Sequence, residues 1–402
     1  MDKTIIEYFL ERYLPRNEIV YRLPVSVDIC DAWPEILSAR KEGAVTLPLC
    51  AWNGTPYWYS PTGDFLSAGN HLAEIARTRD LNRSELYLHD DGIVDEAYYS
   101  SVIEGAYSTR QRAHELIRSK EPPKDLSERM VLNNYRALQF VLEHLDGPIN
   151  DAVILEIGRL LTDGTLDMDT SPGYRTGPVS VVSGAEEVVY RAPDAEYVGP
   201  MMQQLLAYIA NPDIHPVVKA CVSHIYFVTI HPFNDGNGRT ARALSCMILL
   251  KAGYDFFRQV PISGLLLQER SRYYKAIRMA QAPENGYDFT YFMDYYADML
   301  LRTTEQMHHH VAAAQQLQAL EKALPESGGR SRILRGAGWI VSEDIQTIST
   351  EKWQKKFGIS FETARQDLKT LCESGFLTMR TVGRKHFYDF HIQDPVGLHK
   401  EE

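Results

Sequence analysis

The 402-residue chain has little cysteine: Cys30, Cys50, Cys221, Cys246 and Cys372 are its five. They are odd in number, scattered and without CxxC spacing, which excludes a disulfide framework and a thiolate metal site of the usual kind. A reducing cytoplasm is the expected setting. Long apolar runs are also lacking. No uninterrupted stretch approaches a membrane span, and the opening MDKTIIEYFLERYL alternates charge with apolar residues instead of forming a secretion signal. Excess positive charge is lacking too. The formal net charge is −11, so a surface generally adapted to nucleic acid or to an anionic membrane is not expected, and a membrane partner is not expected either. There is no internal repeat and no GxxxxGK[ST] phosphate loop.

What is present is the ordinary composition of a globular protein, long enough for two or three domains with their own cores. To about Asp90, short extended pieces (AVTLPLCAWNG, PYWYS) mix with helical ones such as GDFLSAGNHLAEIARTRDL. From about Asp95, helical periodicity dominates. DEAYYSSVIEGAYSTRQRAHELIRS reads as one helix or a broken pair with Gly105 inside it. SERMVLNNYRALQFVLEHL and NDAVILEIGRLLTDG follow, the second capped by Asn150 or Asp151. GPVSVVSGAEEVVYRAP holds two β-branched runs around a Ser-Gly turn, the pattern of a hairpin. PVVKACVSHIYFVT places Val217, Ala220, Cys221, His224, Phe227 and Val228 on one face, with His224 read as a hydrogen-bonded core histidine. A helix from about Asn237 to Lys251 is expected next. His308, His309 and His310 cannot point at one ion from a helix and read as a solvated face. AAAQQLQALEKALPESGGRSR reads as a connecting helix ending in a Gly-Ser linker.

The stretch IHPFNDGNGRTAR, Ile230 to Arg242, lies between two apolar helical segments. Polar groups beside a core cost free energy unless they are paired or used. NGRTAR is expected to open a helix, whose first turns carry unpaired N–H groups and the positive end of the dipole. Gly236 and Gly238 would let backbone approach an anion, and Arg239 and Arg242 lie on one face with forks that match phosphate oxygens. Asp235 would hold a divalent ion bound to the same phosphates. His231 has the proton affinity of a general base. Together these parts make a phosphoryl or nucleotidyl transfer site. An EF-hand is excluded, because the twelfth position counted from Asp235 is Cys246 and not Glu. The plainer alternative is a glycine-rich helix cap whose arginines pair with nearby carboxylates.

HPFNDGNGRTAR resembles the Fic family motif, HxFx(D/E)GNGRxxR, at every defined position. The resemblance spans about Asp95 to Met299. It implies a mainly α fold: a Fic helical core with a β-hairpin flap, an N-terminal α/β extension and a C-terminal winged helix-turn-helix. The corresponding domains are residues 1–94 (extension), 95–300 (catalytic core), 301–330 (linker helix) and 331–402 (winged helix). It also implies a protein adenylyltransferase that moves AMP from ATP, with Mg²⁺, to a Ser, Thr or Tyr hydroxyl of a protein target or of itself. In that reading His231 deprotonates the hydroxyl and Asp235 binds Mg²⁺. Asn237, Arg239 and the backbone at Gly236 and Gly238 hold the α- and β-phosphates, Arg242 fixes the γ-phosphate, and Phe233 anchors the loop.

SSVIEG, Ser100 to Gly105, resembles the family's inhibitory motif, (S/T)xxxE(G/N), here N-terminal to the core. Ser100 and Glu104 share a helix face, and Gly105 would permit close approach to another backbone. A buried Glu104 needs a cation, and pairing with Arg242 would take the γ-phosphate group. In some relatives the equivalent glutamate instead activates water and removes AMP. The hairpin sits where the family places the flap that clamps a target strand. YYKAIRMAQ resembles the base-contacting segment, with Tyr274 stacking on adenine; where many relatives have Asn, this chain has Gln281.

ISTEKWQKKFGISFETARQDLKTLCESGFLTMRTVGRKHFYDF reads as helix, turn at Gly358, helix and a two-stranded wing turning at Gly383. From Ser349 to Phe390 eight Lys/Arg face five acids, and Arg384 and Lys385 would lie on the wing tip. DNA contact and protein contact are both open, as is a homodimer. A DNA-binding regulator with a nucleotide-sensing core is the rival to the enzyme.

Overall fold

Asp28, Thr109, Asp125 and Asn150 each accept a hydrogen bond from a first-turn N–H, and each opens a helix. The computed structural model describes residues 3–61, 65, 91–166, 173–182, 187–324, 329–343, 345–383 and 385–391, and is mainly α-helical. The described chain falls into two units, one containing residues up to Thr304 and one from Glu305 onward.

In the first unit, α1 (Lys3–Glu11), α2 (Arg16–Ile19) and α3 (Ile29–Lys41) close over Phe9, Ile19, Trp33 and Ile36. The two extended pieces read from the sequence pair as an antiparallel hairpin, β1 (Val45–Cys50) and β2 (Pro56–Tyr59), with Thr46 opposite Trp58. Of the helix expected over residues 63–81, all but residue 65 lies outside the described residues. This N-terminal part is built into the helical core: the Tyr13 hydroxyl donates to Asp288, and the Trp58 carbonyl accepts from Phe289 N–H.

DEAYYSSVIEGAYSTRQRAHELIRS is a broken pair: α4 (Asp91–Ile103) and α5 (Arg110–Ser119). The break falls at Gly105, whose φ of +95° ends the helix. Among the described residues, no atom outside its immediate neighbours lies within 4 Å of where its Cβ would be, so Gly105 serves the turn and the close backbone approach expected of it is not seen there. Then come α6 (Leu126–Glu143), α7 (Asp151–Leu161) with Asn150 as its cap, and the hairpin β3 (Ser180–Val182) and β4 (Val188–Arg191), whose Ser-Gly turn lies outside the described residues.

After α8 (Ala195–Ala210) the chain enters α9 (Pro216–Ile230), the segment read as having one apolar face. It is instead buried on every side from Ala220 to Ile230, because other helices surround it. α10 (Asn237–Lys251) is likewise buried along almost its whole length and packs against α9. α11 (Ile262–Gln268), α12 (Arg270–Gln281) and α13 (Thr290–Ala323) complete the order. The α9–α10 junction therefore has no solvated helix faces of its own, and its polar groups must be satisfied by neighbours.

The second unit holds α14 (Arg330–Ser342), β5 (Thr347–Ser349), α15 (Thr350–Phe357), α16 (Phe361–Glu373), β6 (Thr378–Val382) and β7 (Lys385–Asp389). The wing is the β6–β7 pair, and β5 joins it to make a three-stranded sheet in the order β5-β7-β6. Ala313, Leu320 and Leu324 pack into the same core as Trp353, Leu368 and Tyr388. The residues read as a linker helix thus contribute to this unit's core. The side chains of His308, His309 and His310, and Arg384, expected on the wing tip, lie outside the described residues.

Candidate active site

The sequence motif occupies the turn from α9 into α10. His231 caps α9 with φ +51°, a left-handed conformation unusual for a residue with a side chain. Its N–H donates to the Phe227 carbonyl. Its Nδ1 lies 3.3 Å from the Val228 carbonyl, which can only accept, so Nδ1 carries the proton and Nε2 keeps the lone pair. Burial pushes the His231 pKa down, and the charge of Arg175 pushes the same way. A neutral imidazole with a free Nε2 is a competent general base.

Phe233 is buried, its ring against Gly158 of α7, where a Cβ would come within 2.6 Å of the ring. Asn237 closes the loop over it. The Asn237 side-chain oxygen accepts from Phe233 N–H at 2.9 Å, and its amide donates to the Phe233 carbonyl at 2.9 Å. Both ends of this side chain are thereby engaged within the loop. Its backbone N–H is one of the first-turn donors of α10 that have no acceptor inside the helix.

Asp235 accepts from Gly236 N–H at 2.6 Å and from Arg239 Nη2 at 2.9 Å, and its side chain is 52 % exposed. A half-exposed carboxylate at the mouth of an anion cradle suits Mg²⁺, which takes one or two carboxylates and completes its shell with phosphate oxygens and water. Gly236 precedes α10 at φ +81°. The buried Arg239 donates to Asp235 and to the Leu161 carbonyl.

Arg242, also buried, donates from Nε to Ser100 Oγ at 2.8 Å, and from Nη2 to the Ser100 carbonyl at 2.9 Å and to Glu104 Oε1 at 2.8 Å. Its Nη1 and the Nε of Arg239 are buried with no hydrogen-bond partner among the described residues. Buried donors left this way carry a desolvation cost that an anion would remove. The Glu104 carboxylate covers Gly238 so closely that a Cβ at that position would overlap Oε1. Glu104, just past the end of α4, and the first turn of α10 are therefore in direct contact.

Tyr274 is near the same place. Its hydroxyl is 3.5 Å from the Ile103 carbonyl, at the end of α4. The neighbouring Tyr273 is buried and its hydroxyl meets His224 Nε2 at 2.8 Å; Ser245 Oγ lies 3.3 Å from His224 Nδ1. Burial, then Arg242, lowers the His224 pKa to about 3, so it is the neutral core histidine the sequence reading expected. Gln281 donates to the Val228 carbonyl at 3.2 Å and also lines a cavity of about 800 Å³ together with Trp52, Tyr190, Arg191, Lys275 and Arg278. No residue from His231 to Arg242 lines that cavity.

Sequence reasoning missed Arg175 and Tyr190. Arg175 donates from Nε to the His231 carbonyl at 2.7 Å and from Nη1 to the Gly177 carbonyl at 2.9 Å. The Tyr190 hydroxyl donates to the Thr229 carbonyl at 2.7 Å. A lone arginine before a hairpin and a tyrosine within a strand carry no periodic signal that could have singled them out.

These elements define a helical domain in which a carboxylate from just past the end of α4 covers the first turn of α10. Residues 148–249 match the model of the Fic/DOC family. The chain carries a Fic/DOC domain. It is 27% identical over 223 residues to the protein adenylyltransferase fic-1 of Caenorhabditis elegans, a match covering 52% of this chain and 40% of the relative. It is 38% identical over 92 residues to the protein adenylyltransferase Fic of Drosophila virilis, covering 23% of this chain and 17% of the relative. The chain thus spans less than half the length of these curated relatives. A crystal structure of a Fic family protein from Desulfovibrio desulfuricans G20 shares the fold, with a TM-score of 0.54 at 20% identity over 83% of this chain and 98% of that one.

Proposed function

We propose that this chain is a protein adenylyltransferase that moves AMP from Mg-ATP to a Ser, Thr or Tyr hydroxyl of a protein target or of itself, and that Glu104 holds it inactive. The names of the relatives support the reaction class. The observation that carries the reading is the contact of Glu104 with both Arg242 and Gly238, where an anion's terminal and bridging phosphates would otherwise sit.

In the proposed reaction the acceptor oxygen attacks the α-phosphorus. The new O–Pα bond forms, the Pα–O bond to the β-phosphate breaks, and pyrophosphate leaves. The hydroxyl proton goes to Nε2 of His231. The first-turn N–H groups of Asn237, Gly238 and Arg239 would receive phosphate oxygens, and Arg242 the γ-phosphate once Glu104 has left. Mg²⁺, held by Asp235, would neutralise charge on the phosphates. The stack of Tyr274 on the base belongs to the same proposal. So do a cytoplasmic setting and the division into extension, catalytic core and winged helix.

The test uses ATP labelled at the α-phosphate with wild type, Glu104→Gly, and Glu104→Gly combined with His231→Ala, in the presence of lysate. Weak label in the first, strong in the second and none in the third is the expected result. Nucleotide that binds to Glu104→Gly without any label reaching protein would overturn the reading.

AMP removal is the second reading. The Glu104 side chain keeps 28 % of its surface exposed, enough to orient a water at the cradle. A pre-modified substrate separates the two: removal would be lost in Glu104→Gly, whereas transfer would rise. For the winged helix, we favour protein contact over DNA. Arg365, Lys369 and Arg380 are ion-paired with Glu362, Glu373 and Asp389, which leaves fewer cations for phosphates. Steeply salt-dependent DNA binding by the full chain would reverse that preference.

A further inference from the structure

Arg175 is buried, and among the described residues no carboxylate is one of its hydrogen-bond partners; those it has are carbonyls. Buried charges are costly, and with Asp194 acting on this one only at longer range its hydrogen-bond partners must supply most of the offset. The carbonyls identify it. Nε meets His231 O, Nη2 meets Ile230 O and Pro193 O, Nη1 meets Gly177 O, and the Arg175 backbone N–H meets Pro232 O. Ile230, His231 and Pro232 are the C-terminal end of α9, where the unpaired carbonyls and the negative pole of a 15-residue helix dipole lie. Gly177 and Pro193 flank the hairpin β3–β4, one before it and one after it.

The remaining carbonyls of that last turn are also taken. Val228 O accepts from Gln281, and Thr229 O from the Tyr190 hydroxyl of β4. The hairpin is therefore stapled to the end of α9 by Arg175 and Tyr190, and His231 is the residue at the join.

We propose that Arg175 is a positioning residue for the reaction: it fixes the hairpin to the catalytic turn, holds His231 in its left-handed conformation, and occupies the negative end of α9 so that His231 stays neutral. The proposal rests on the reading of His231 as the base. Without the guanidinium, the helix end would favour an imidazolium at position 231, and a protonated base cannot accept the hydroxyl proton. Three charged groups face His231 electrostatically: Arg175, which opposes protonation, and Glu104 and Asp235, which favour it. Arg175 is the one cation in that set, so its loss leaves two carboxylates unopposed.

The experiment follows the His231 ring by NMR in nucleotide-free full-length protein, assigned by its disappearance in His231→Ala, across Arg175→Gln, Arg175→Lys and Arg175→Ala with and without added guanidinium. The same substitutions in a Glu104→Gly background give kcat, KM for ATP and the pH–rate profile. Expected in Arg175→Gln is an upward move of the His231 midpoint, an acidic limb that moves with it, and kcat lower by about tenfold or more with KM for ATP changed by less than about twofold. Arg175→Lys keeps the charge and loses the fork, so its midpoint stays near wild type while kcat falls. Guanidinium restores part of the kcat of Arg175→Ala. A folded Arg175→Gln with an unmoved midpoint overturns the proposal. If that variant does not fold, a shifted midpoint in Arg175→Lys, or no rescue by guanidinium, overturns it. The midpoint is read without turnover. Movement of the midpoint with no transfer in any variant would sink the adenylyl-transfer reading and leave the role of Arg175 standing.

Discussion

Glu104 occupies the space that a Cβ on Gly238 would need, while its Oε1 accepts from Arg242 Nη2 at 2.8 Å. One carboxylate thus satisfies a buried arginine and fills the backbone hollow at the start of α10. Gly238→Ala would place a methyl group in that hollow. It should expel Glu104 and also obstruct the seat intended for phosphate. Expected is ATP binding weakened about tenfold or more even in a Glu104→Gly background, measured by calorimetry. Binding unchanged by Gly238→Ala in that background would mean that phosphate does not approach Gly238.

Glu104→Gly removes the anion from Arg242 but leaves Ser100 as its partner. The pair is partly solvated, with 28 % of the Glu104 side chain exposed, so the loss is smaller than for a fully buried pair: about 1–3 kcal/mol of stability. Mg-ATP should restore it by binding the folded state. The thermal midpoint of the variant is expected to fall without nucleotide and to gain more from Mg-ATP than wild type does. Equal gains in the two proteins would argue against competition between Glu104 and nucleotide.

Asn237→Ala tests the loop. It leaves both Phe233 N–H and Phe233 C=O without their side-chain partners in a buried turn. A cost of about 2–4 kcal/mol is expected from two such groups, read by chemical denaturation. If the amide instead worked only by touching phosphate, stability without nucleotide would be unaffected.

Asp288 joins the N-terminal part to the core. It accepts from Tyr13 OH at 2.8 Å and from Thr290 N–H at 2.9 Å, and burial raises its pKa from 3.8 to about 6. The folded protein therefore holds this proton more tightly than the unfolded chain. The contribution is fully present below pH 3.8 and is lost as pH rises through about 6. Its size is about 2–4 kcal/mol, from the shift in proton affinity. The stability difference between wild type and Asp288→Asn should fall in wild type's disfavour across that window and be flat above it. A difference that does not vary with pH would show that Asp288 does not titrate there.

The turn from α9 into α10 was legible because it is local. His231, Asp235, Gly236, Asn237, Gly238, Arg239 and Arg242 fall within twelve residues, and a helix start aims its N–H groups at one point whatever surrounds it. The cap at Asn150, the break near Gly105 and the wing were legible for the same reason, since side chains within three or four residues decide them. The bonds of the Asn237 side chain to Phe233 were not legible, because an amide at a helix start can face outward or its own loop, and only packing decides between them.

Sequence alone determined the motif, its helix and the identity of a glutamate able to oppose it. Only tertiary structure decided that Glu104 reaches Arg242, 138 residues away, and that Arg175 reaches the His231 carbonyl across 56 residues. It also decided that α9 is buried on all sides, where its sequence pattern had indicated one apolar face. The reason is physical: hydrogen bonds at helix ends follow from neighbours in the chain, but the partner of a buried charge is chosen by which elements pack against it.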